Sequence, residues 1–160
     1  MGSVTVRVDG LKELQKAMQS LGRKTSNRIA VKAMRKGSAI VRDKARSFAP
    51  VLKENVPHRR AGTLRKSIQS RTKVGKNGRT DAYIWVKGLS TKQVLKFKEK
   101  GGKSSAYNPS DPFYWRYLEF GTSKMPARPF MRPAFQQSKE QAAQAIIDTL
   151  QQEIIAEAGK

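Results

Sequence analysis

The stretch from residue 113 to residue 135, FYWRYLEFGTSKMPARPFMRPAF, constrains the fold more than any other part of the chain. It holds seven of the twelve aromatic residues and three of the seven prolines. Asp111 and Pro112 before it are typical of a helix start, with Asp111 as the cap. Gly121 is typical of a helix end, because glycine adopts a left-handed conformation at little cost. The pattern predicts a short aromatic helix over residues 112–120.

The segment that follows, residues 125–133, cannot form regular structure, because each proline removes a backbone donor and restricts the residue before it. We expect a stiff, extended segment, the proline strap, that carries Phe130 and Met131, after which Pro133 opens a final helix. Such a strap either closes a core or docks on a neighbouring subunit. For Phe130 we predict docking, since a stiff segment loses little entropy when it binds.

Glu119 is the one acidic residue of the aromatic stretch. An unpaired buried carboxylate is costly, so we expect Glu119 to pair with Arg128 or Arg132. The predicted subunit or neck interface comprises Tyr117, Phe120, Gly121, Arg128, Phe130, Met131 and Arg132.

The N-terminal part of the chain predicts a short strand at residues 4–8 and an amphipathic helix at residues 11–21, ended by Gly22. Thr25 or Ser26 is expected to cap a long helix that stops at Ala49-Pro50. The apolar stripe of that helix is narrow and made mostly of small residues, which allows a close approach to a neighbouring element. The stripe consists of Ala30, Ala33, Met34, Gly37, Val41, Ala45 and Phe48.

After an irregular connection at residues 51–62, alternating residues on both sides of Asn77-Gly78 predict a β-hairpin. Residues 89–110 are polar and rich in lysine, so we expect a flexible basic excursion with a short helix at residues 92–98. A C-terminal helix of about six turns is marked by Phe135, Ala142, Ala145, Ile146, Leu150 and Ile154.

These elements predict an α+β fold in one domain over residues 1–160. A small antiparallel sheet is expected to pack against the long amphipathic helix, with a short N-terminal and a longer C-terminal helix beside it.

The chain is strongly basic, with 33 basic and 12 acidic residues and a net charge of +21. The excess lies in residues 1–135, because residues 136–160 carry two basic and four acidic side chains. Such an imbalance implies a polyanionic partner, and we expect sequence-independent contact with double-stranded DNA. No lipidation motif or strongly apolar helix supports a membrane partner. The predicted DNA-facing residues lie on the long helix and are Arg28, Lys32, Arg35, Lys36, Arg42 and Arg46.

Motifs for catalysis, cofactors or metals are missing from the sequence. The chain has no cysteine, and His58 is its only histidine, so neither a zinc site nor a nucleophilic triad is expected. Residues 102–104 (GKS) match the last three positions of the phosphate-binding P-loop motif. Phe97 occupies the position at which that motif requires its first glycine. Residues 75–78 (GKNG) match the GxxG loop of KH domains, which joins two helices rather than two strands. We expect neither an enzyme nor a bound cofactor.

Four segments in order carry a family resemblance: the basic helix that ends at Ala49-Pro50, residues 61–68 (AGTLRKSI), residues 117–122 (YLEFGT) and residues 127–135 (ARPFMRPAF). Together they resemble the head–tail joining, or tail-completion, proteins of the neck of long-tailed bacteriophages. That family is similar to the minor tail protein Z type of lambdoid phages. Residues 89–110 are longer and more basic than expected of the family core.

The resemblance implies a structural virion protein, assembled in the host cytoplasm as a homo-oligomeric and six-fold ring. Its implied partners are the portal-side connector and the tail tube or terminator proteins, with DNA passing through or stopping in the lumen. Two other classes remain open. One is a sequence-independent DNA-binding protein of histone-like or ribosomal type, and the other is an assembly chaperone or inhibitor of an acidic partner.

Overall fold

The architecture is α+β, as the sequence predicts. It is given by a computed structural model that describes residues 11–54 and 56–159. The predicted strand at residues 4–8 lies outside the described residues. Among those residues there are six α-helices, one short 3-10 helix and one two-stranded antiparallel sheet. Their order is α1 (Leu11–Ser20), α2 (Arg23–Phe48), α3 (Thr63–Ser67), β1 (Ile68–Val74), β2 (Thr80–Val86), α4 (Thr91–Glu99), the 3-10 helix (Ser105–Tyr107), α5 (Trp115–Phe120) and α6 (Met131–Ala158).

The start of α2 differs from the prediction, although its end at Phe48 agrees with it. Because the helix begins at Arg23, Thr25 and Ser26 lie inside the first turn and do not cap it. The Ser26 hydroxyl instead donates to the carbonyl of Met18 at 2.7 Å. This bond ties the start of α2 back to α1, a role that the local sequence does not reveal.

Contacts group the described residues into two compact units, and the first comprises residues 11–42, 70–84 and 136–159. In this unit α2 and α6 run antiparallel, since Arg28 pairs with Glu157 at 2.7 Å while Gly37 faces Ala142 and Ile146. A Cβ atom on Gly37 would lie 2.5 Å from Cγ1 of Ile146. The small residues of the α2 stripe therefore do permit the close approach that the sequence predicts.

The second unit comprises residues 43–69 and 85–135. Leu64, Ile68 and Phe130 are fully buried in it. The guanidinium of Arg46 donates to the carbonyl of Ile68 at 2.8 Å, where α3 passes into β1. That the two units belong to one domain stays a prediction.

The hairpin forms as predicted around Asn77-Gly78. The Gly75 N–H donates to the Arg79 carbonyl at 2.7 Å, and the Gly78 N–H donates to the Gly75 carbonyl at 3.0 Å. Residues 76–78 therefore form a three-residue loop that ends with Gly78 at a positive φ of 83°. At the other end, the Lys87 N–H donates to the Ser67 carbonyl at 2.8 Å. These two bonds share one register, so the pairing of β1 with β2 is the same at both ends.

The aromatic helix is shorter than predicted, because α5 begins at Trp115 and not at Pro112. The carboxylate of Asp111 accepts the N–H of Phe113 at 3.0 Å, and Tyr114 precedes the helix without a side-chain cap. An aspartate bonded to the backbone two residues on forms a local turn that competes with helix formation. Asp111 therefore starts a turn and does not cap α5.

Candidate functional site

The buried carboxylate of Glu119 joins α5 to α6. Its side chain is 4% exposed. Oε2 accepts the backbone N–H groups of Phe130 at 2.8 Å and Met131 at 2.9 Å, and Oε1 accepts that of Arg132 at 3.1 Å. The predicted pairing of Glu119 with an arginine side chain is wrong, because backbone N–H groups at the helix start bind its two oxygens.

Pro133 completes this cap. A helix leaves its first four N–H groups without partners in the helix, and here these are the groups of residues 130–133. Glu119 binds three of them, and the fourth residue is a proline, which has no N–H to satisfy. The prediction that Pro133 begins α6 is wrong, because the helix begins at Met131 and Pro133 lies in its first turn. The negative carboxylate also interacts favourably with the positive end of the helix dipole.

Gly121 lets the chain reverse directly after α5. Its φ of 73° and ψ of −177° lie in a region open essentially to glycine alone, and not in the left-handed helical region that we expected. A Cβ atom here would lie 2.9 Å from the nitrogen of Ala127 and 3.0 Å from the carbonyl of Met125. The returning proline strap then lies along α5, where the Arg128 N–H donates to the Leu118 carbonyl at 2.7 Å.

We call the combination of residues 119–122 with the proline strap the α5–α6 joint. Phe130, the largest fully buried side chain among the described residues, lies inside it with 0% exposure. The prediction that Phe130 docks on a partner is therefore wrong, since its ring has no surface to offer. Core closure, the alternative for the strap, is what the structure shows for this residue.

Three aromatic side chains next to the joint are exposed. Tyr117 is 49% exposed, Phe120 59% and Phe135 48%. The guanidinium of Arg132 lies 5.1 Å from the centre of the Phe120 ring. Arg128 is also exposed, and Met131 is half-buried. Of the seven residues predicted as an interface, all except Phe130 keep accessible surface, Gly121 included. Phe135 is exposed as well, although the sequence analysis used it only to mark the C-terminal helix.

The predicted DNA-facing residues of α2 do not form a uniform basic face. Arg28 and Lys32 pair with Glu157 and Glu153 of α6 at 2.7 and 2.6 Å. Arg46 is held by the Ile68 carbonyl, and Arg42 also has a partner. Arg35 and Lys36 are exposed, and no ion pair holds either of them in the described part of the chain.

Part of the region 89–110 is regular. The predicted helix at residues 92–98 is confirmed as α4, which begins with a capping box formed by Ser90 and Gln93. The 3-10 helix follows at Ser105–Tyr107. The Thr63 hydroxyl donates to the Pro109 carbonyl at 3.0 Å, which ties the end of the region to α3. Flexibility of the region stays a prediction.

The sequence profile of the HK97-gp10-like family, described as a bacteriophage tail component, matches residues 12–121. This is more than half of the chain. The protein belongs to the HK97-gp10-like family. The predicted resemblance to phage tail proteins is thereby confirmed at the level of the family. No curated protein and no solved structure matches the chain.

The matched segment of this HK97-gp10-like protein ends inside the α5–α6 joint. It includes Glu119 and Gly121, whereas the proline strap and α6 follow it. The carboxylate within the family segment therefore binds backbone groups that lie beyond the segment.

Arg59 has a role in this HK97-gp10-like protein that the sequence reasoning missed. Its guanidinium lies 4.8 Å from the ring centre of Phe113 and 5.5 Å from that of Tyr114, and it donates to the Ala106 carbonyl at 2.7 Å. Burial raises the pKa of Tyr114 above its ordinary value, against the opposing effects of Arg59 and a hydrogen bond to the backbone of Leu64. The basic run HRR at residues 58–60 is visible in the sequence, but it does not predict these contacts, because the partners of Arg59 lie about 50 positions later in the chain.

The described part of this HK97-gp10-like protein holds no group of three or more His, Cys, Asp or Glu side chains placed to bind a metal ion. Within the same residues, no helix has the length and apolar character needed to cross a membrane.

Proposed function

We propose that this phage tail component forms a ring in the neck of the virion, where it joins or completes the tail at the head–tail interface. Membership of the HK97-gp10-like family is the observation that carries the proposal. The proposed ring is hexameric and contacts the portal-side connector and the tail tube or terminator proteins. The genome passes through or stops in its lumen.

The α5–α6 joint supports the ring. A subunit of a closed ring presents two different surfaces to its neighbours, and at least one of them needs a rigid, partly apolar patch. Tyr117, Phe120 and Phe135 expose aromatic rings that could contribute to such a patch, and the Glu119 cap holds the joint between α5 and α6. The guanidinium of Arg132 lies over the Phe120 ring. Arginine, like tryptophan and tyrosine, is enriched among the residues that contribute most of the binding energy at protein interfaces.

The charge supports DNA in the lumen. A net charge of +21 on each subunit would be multiplied around a ring, and the phosphates of the genome would neutralise it. On α2, Arg35 and Lys36 are exposed cations that are left for such contacts, whereas Arg28 and Lys32 already pair with acidic residues of α6.

The test is the size and shape of the purified protein, followed by its role in the phage. Light scattering should give six times the chain mass of 17.9 kDa, alone or on addition of the connector, and negative-stain images should show a central channel. Removing the gene from the parent phage should leave filled heads and tails unjoined. A monomer or dimer that binds DNA tightly, in a phage whose heads and tails still join, would favour the sequence-independent DNA-binding protein instead.

A further inference from the structure

Five exposed lysines lie on α4 and the loop that follows it. We call Lys92, Lys96, Lys98, Lys100 and Lys103 the lysine platform. The only acidic residue between positions 88 and 110 is Glu99. No ion pair within the described residues involves any of the five lysines. Their charges are therefore not neutralised by the protein itself.

The backbone under the platform has local regular structure. The capping box at Ser90 begins α4, and Val94 and Phe97 form its half-buried face. Lys92 and Lys96, one turn apart, are on the exposed side. At the other end, the N–H of Gly102 donates to the Phe97 carbonyl at 3.0 Å, and a Cβ atom on Gly102 would lie 2.3 Å from the Phe97 ring. The loop that carries Lys100 and Lys103 is thus held against α4.

Lys100 and Lys103 also border a groove of about 510 Å³. His58 and Tyr107 line another part of it, with their ring centres 4.8 Å apart in an edge-to-face arrangement. The Nδ1 of His58 lies 3.2 Å from the Tyr107 carbonyl and donates to it. The groove therefore combines two free cations with the Tyr107 hydroxyl, which can donate a hydrogen bond. This combination suits the oxygens of a phosphate chain.

The platform contrasts with α2. On α2, pairing with Glu157 and Glu153 lowers the net positive charge around Arg28 and Lys32. A cation that is already paired gains less from a phosphate, because it must first give up its carboxylate. A free, hydrated lysine displaces the counterions condensed on DNA, and this release drives non-specific binding.

The residue composition of the platform favours DNA over an acidic protein as its ligand. Lysine is depleted at protein–protein interfaces, where arginine and aromatic residues are enriched. The platform contains lysines and no arginine, and Leu95 is its one large exposed apolar neighbour on α4. Lysine contacts to phosphate need no base recognition.

We propose that the lysine platform is the main phosphate-contact site of this protein for double-stranded DNA. The inference rests on the DNA contact of the proposed function and assigns that contact to α4 and its loop, with α2 in a smaller role.

The test compares two variants that each lose two positive charges from the full chain. Lys100→Gln/Lys103→Gln changes the platform, and Arg35→Gln/Lys36→Gln is the matched control on α2. Affinity for a duplex of random sequence is measured at several salt concentrations. Each lost phosphate contact lowers the slope of log affinity against log salt by about one. We expect the platform variant to lower the slope by about two and the control to lower it by less than one.

An equal or larger effect of the α2 variant would overturn the inference while leaving the proposed function intact. An unchanged slope in the platform variant would also overturn it, and would leave an acidic protein as the ligand of the lysines. Light scattering on both variants reports ring formation separately. If the wild-type protein forms no rings in the same measurement, this result counts against the proposed neck function. The comparison of the salt slopes between the two variants is not affected by it.

Discussion

The carboxylate of Glu119 accepts the backbone N–H of Phe130 at 2.8 Å. This bond joins the two sequence segments that carry the most specific part of the family resemblance, EFGT and RPFMRPA. The first segment supplies the carboxylate and the glycine that turns the chain, and the second supplies the helix start that the carboxylate caps. The two segments thus form one structural unit.

Glu119→Ala should lower the free energy of unfolding by at least about 2 kcal/mol, because three backbone donors lose a charged acceptor in a buried place. Glu119→Gln should also destabilise, since the amide keeps only one acceptor oxygen. Urea denaturation is the measurement. Glu140→Ala, at an exposed site on α6, serves as the control and should change stability by less than about 0.5 kcal/mol. Wild-type stability in both Glu119 variants would contradict the capping role.

Gly121→Ala should destabilise the monomer by about 1–3 kcal/mol, because the backbone conformation is open essentially to glycine alone. The added Cβ would also press on the backbone of Ala127. Gly22→Ala is the matched control, since a Cβ atom there meets nothing within 4 Å. Thermal melting of the two variants side by side checks the prediction, which fails if both melt at the same temperature.

Phe130→Ala should cost about 3–5 kcal/mol, because a large fully buried side chain leaves a cavity behind. For a chain of this size, that corresponds to a fall in Tm of roughly 10 °C. Phe120→Ala and Phe135→Ala remove exposed rings and should leave Tm nearly unchanged. The same two variants should weaken assembly, by about 2 kcal/mol where the ring lies at the centre of a subunit contact.

Melting and light scattering on the same samples separate these effects. If Phe120→Ala and Phe135→Ala assemble as the wild type does, the exposed patch is not the subunit contact. If Phe130→Ala melts at the wild-type temperature, the ring does not close the core.

Trypsin should cut the free protein first after lysines between residues 92 and 103. Those lysines are exposed, whereas residues 106 and 109 accept hydrogen bonds from Arg59 and Thr63. Excess DNA should slow this cleavage if the lysine platform binds it. Mass spectrometry of the first fragments gives the cut sites. An earlier cut elsewhere in the described chain would show that residues 89–110 are not its most flexible part.

Local patterns determined most of the elements. The apolar period of α2 and the residues Asn77-Gly78 predict a helix and a turn correctly, because both depend on interactions within a few positions of the chain. The concentration of positive charge is likewise a property of the sequence itself, and so is the family resemblance that the profile match confirms.

The partners of charged groups were decided only by the tertiary structure. Glu119 was expected to bind an arginine and binds backbone groups instead, because the turn at Gly121 brings the start of α6 to its carboxylate. Lys32 was expected to face DNA and pairs with Glu153, 121 positions later. Periodicity shows which face of a helix is polar, but the path of the whole chain determines which charges meet there.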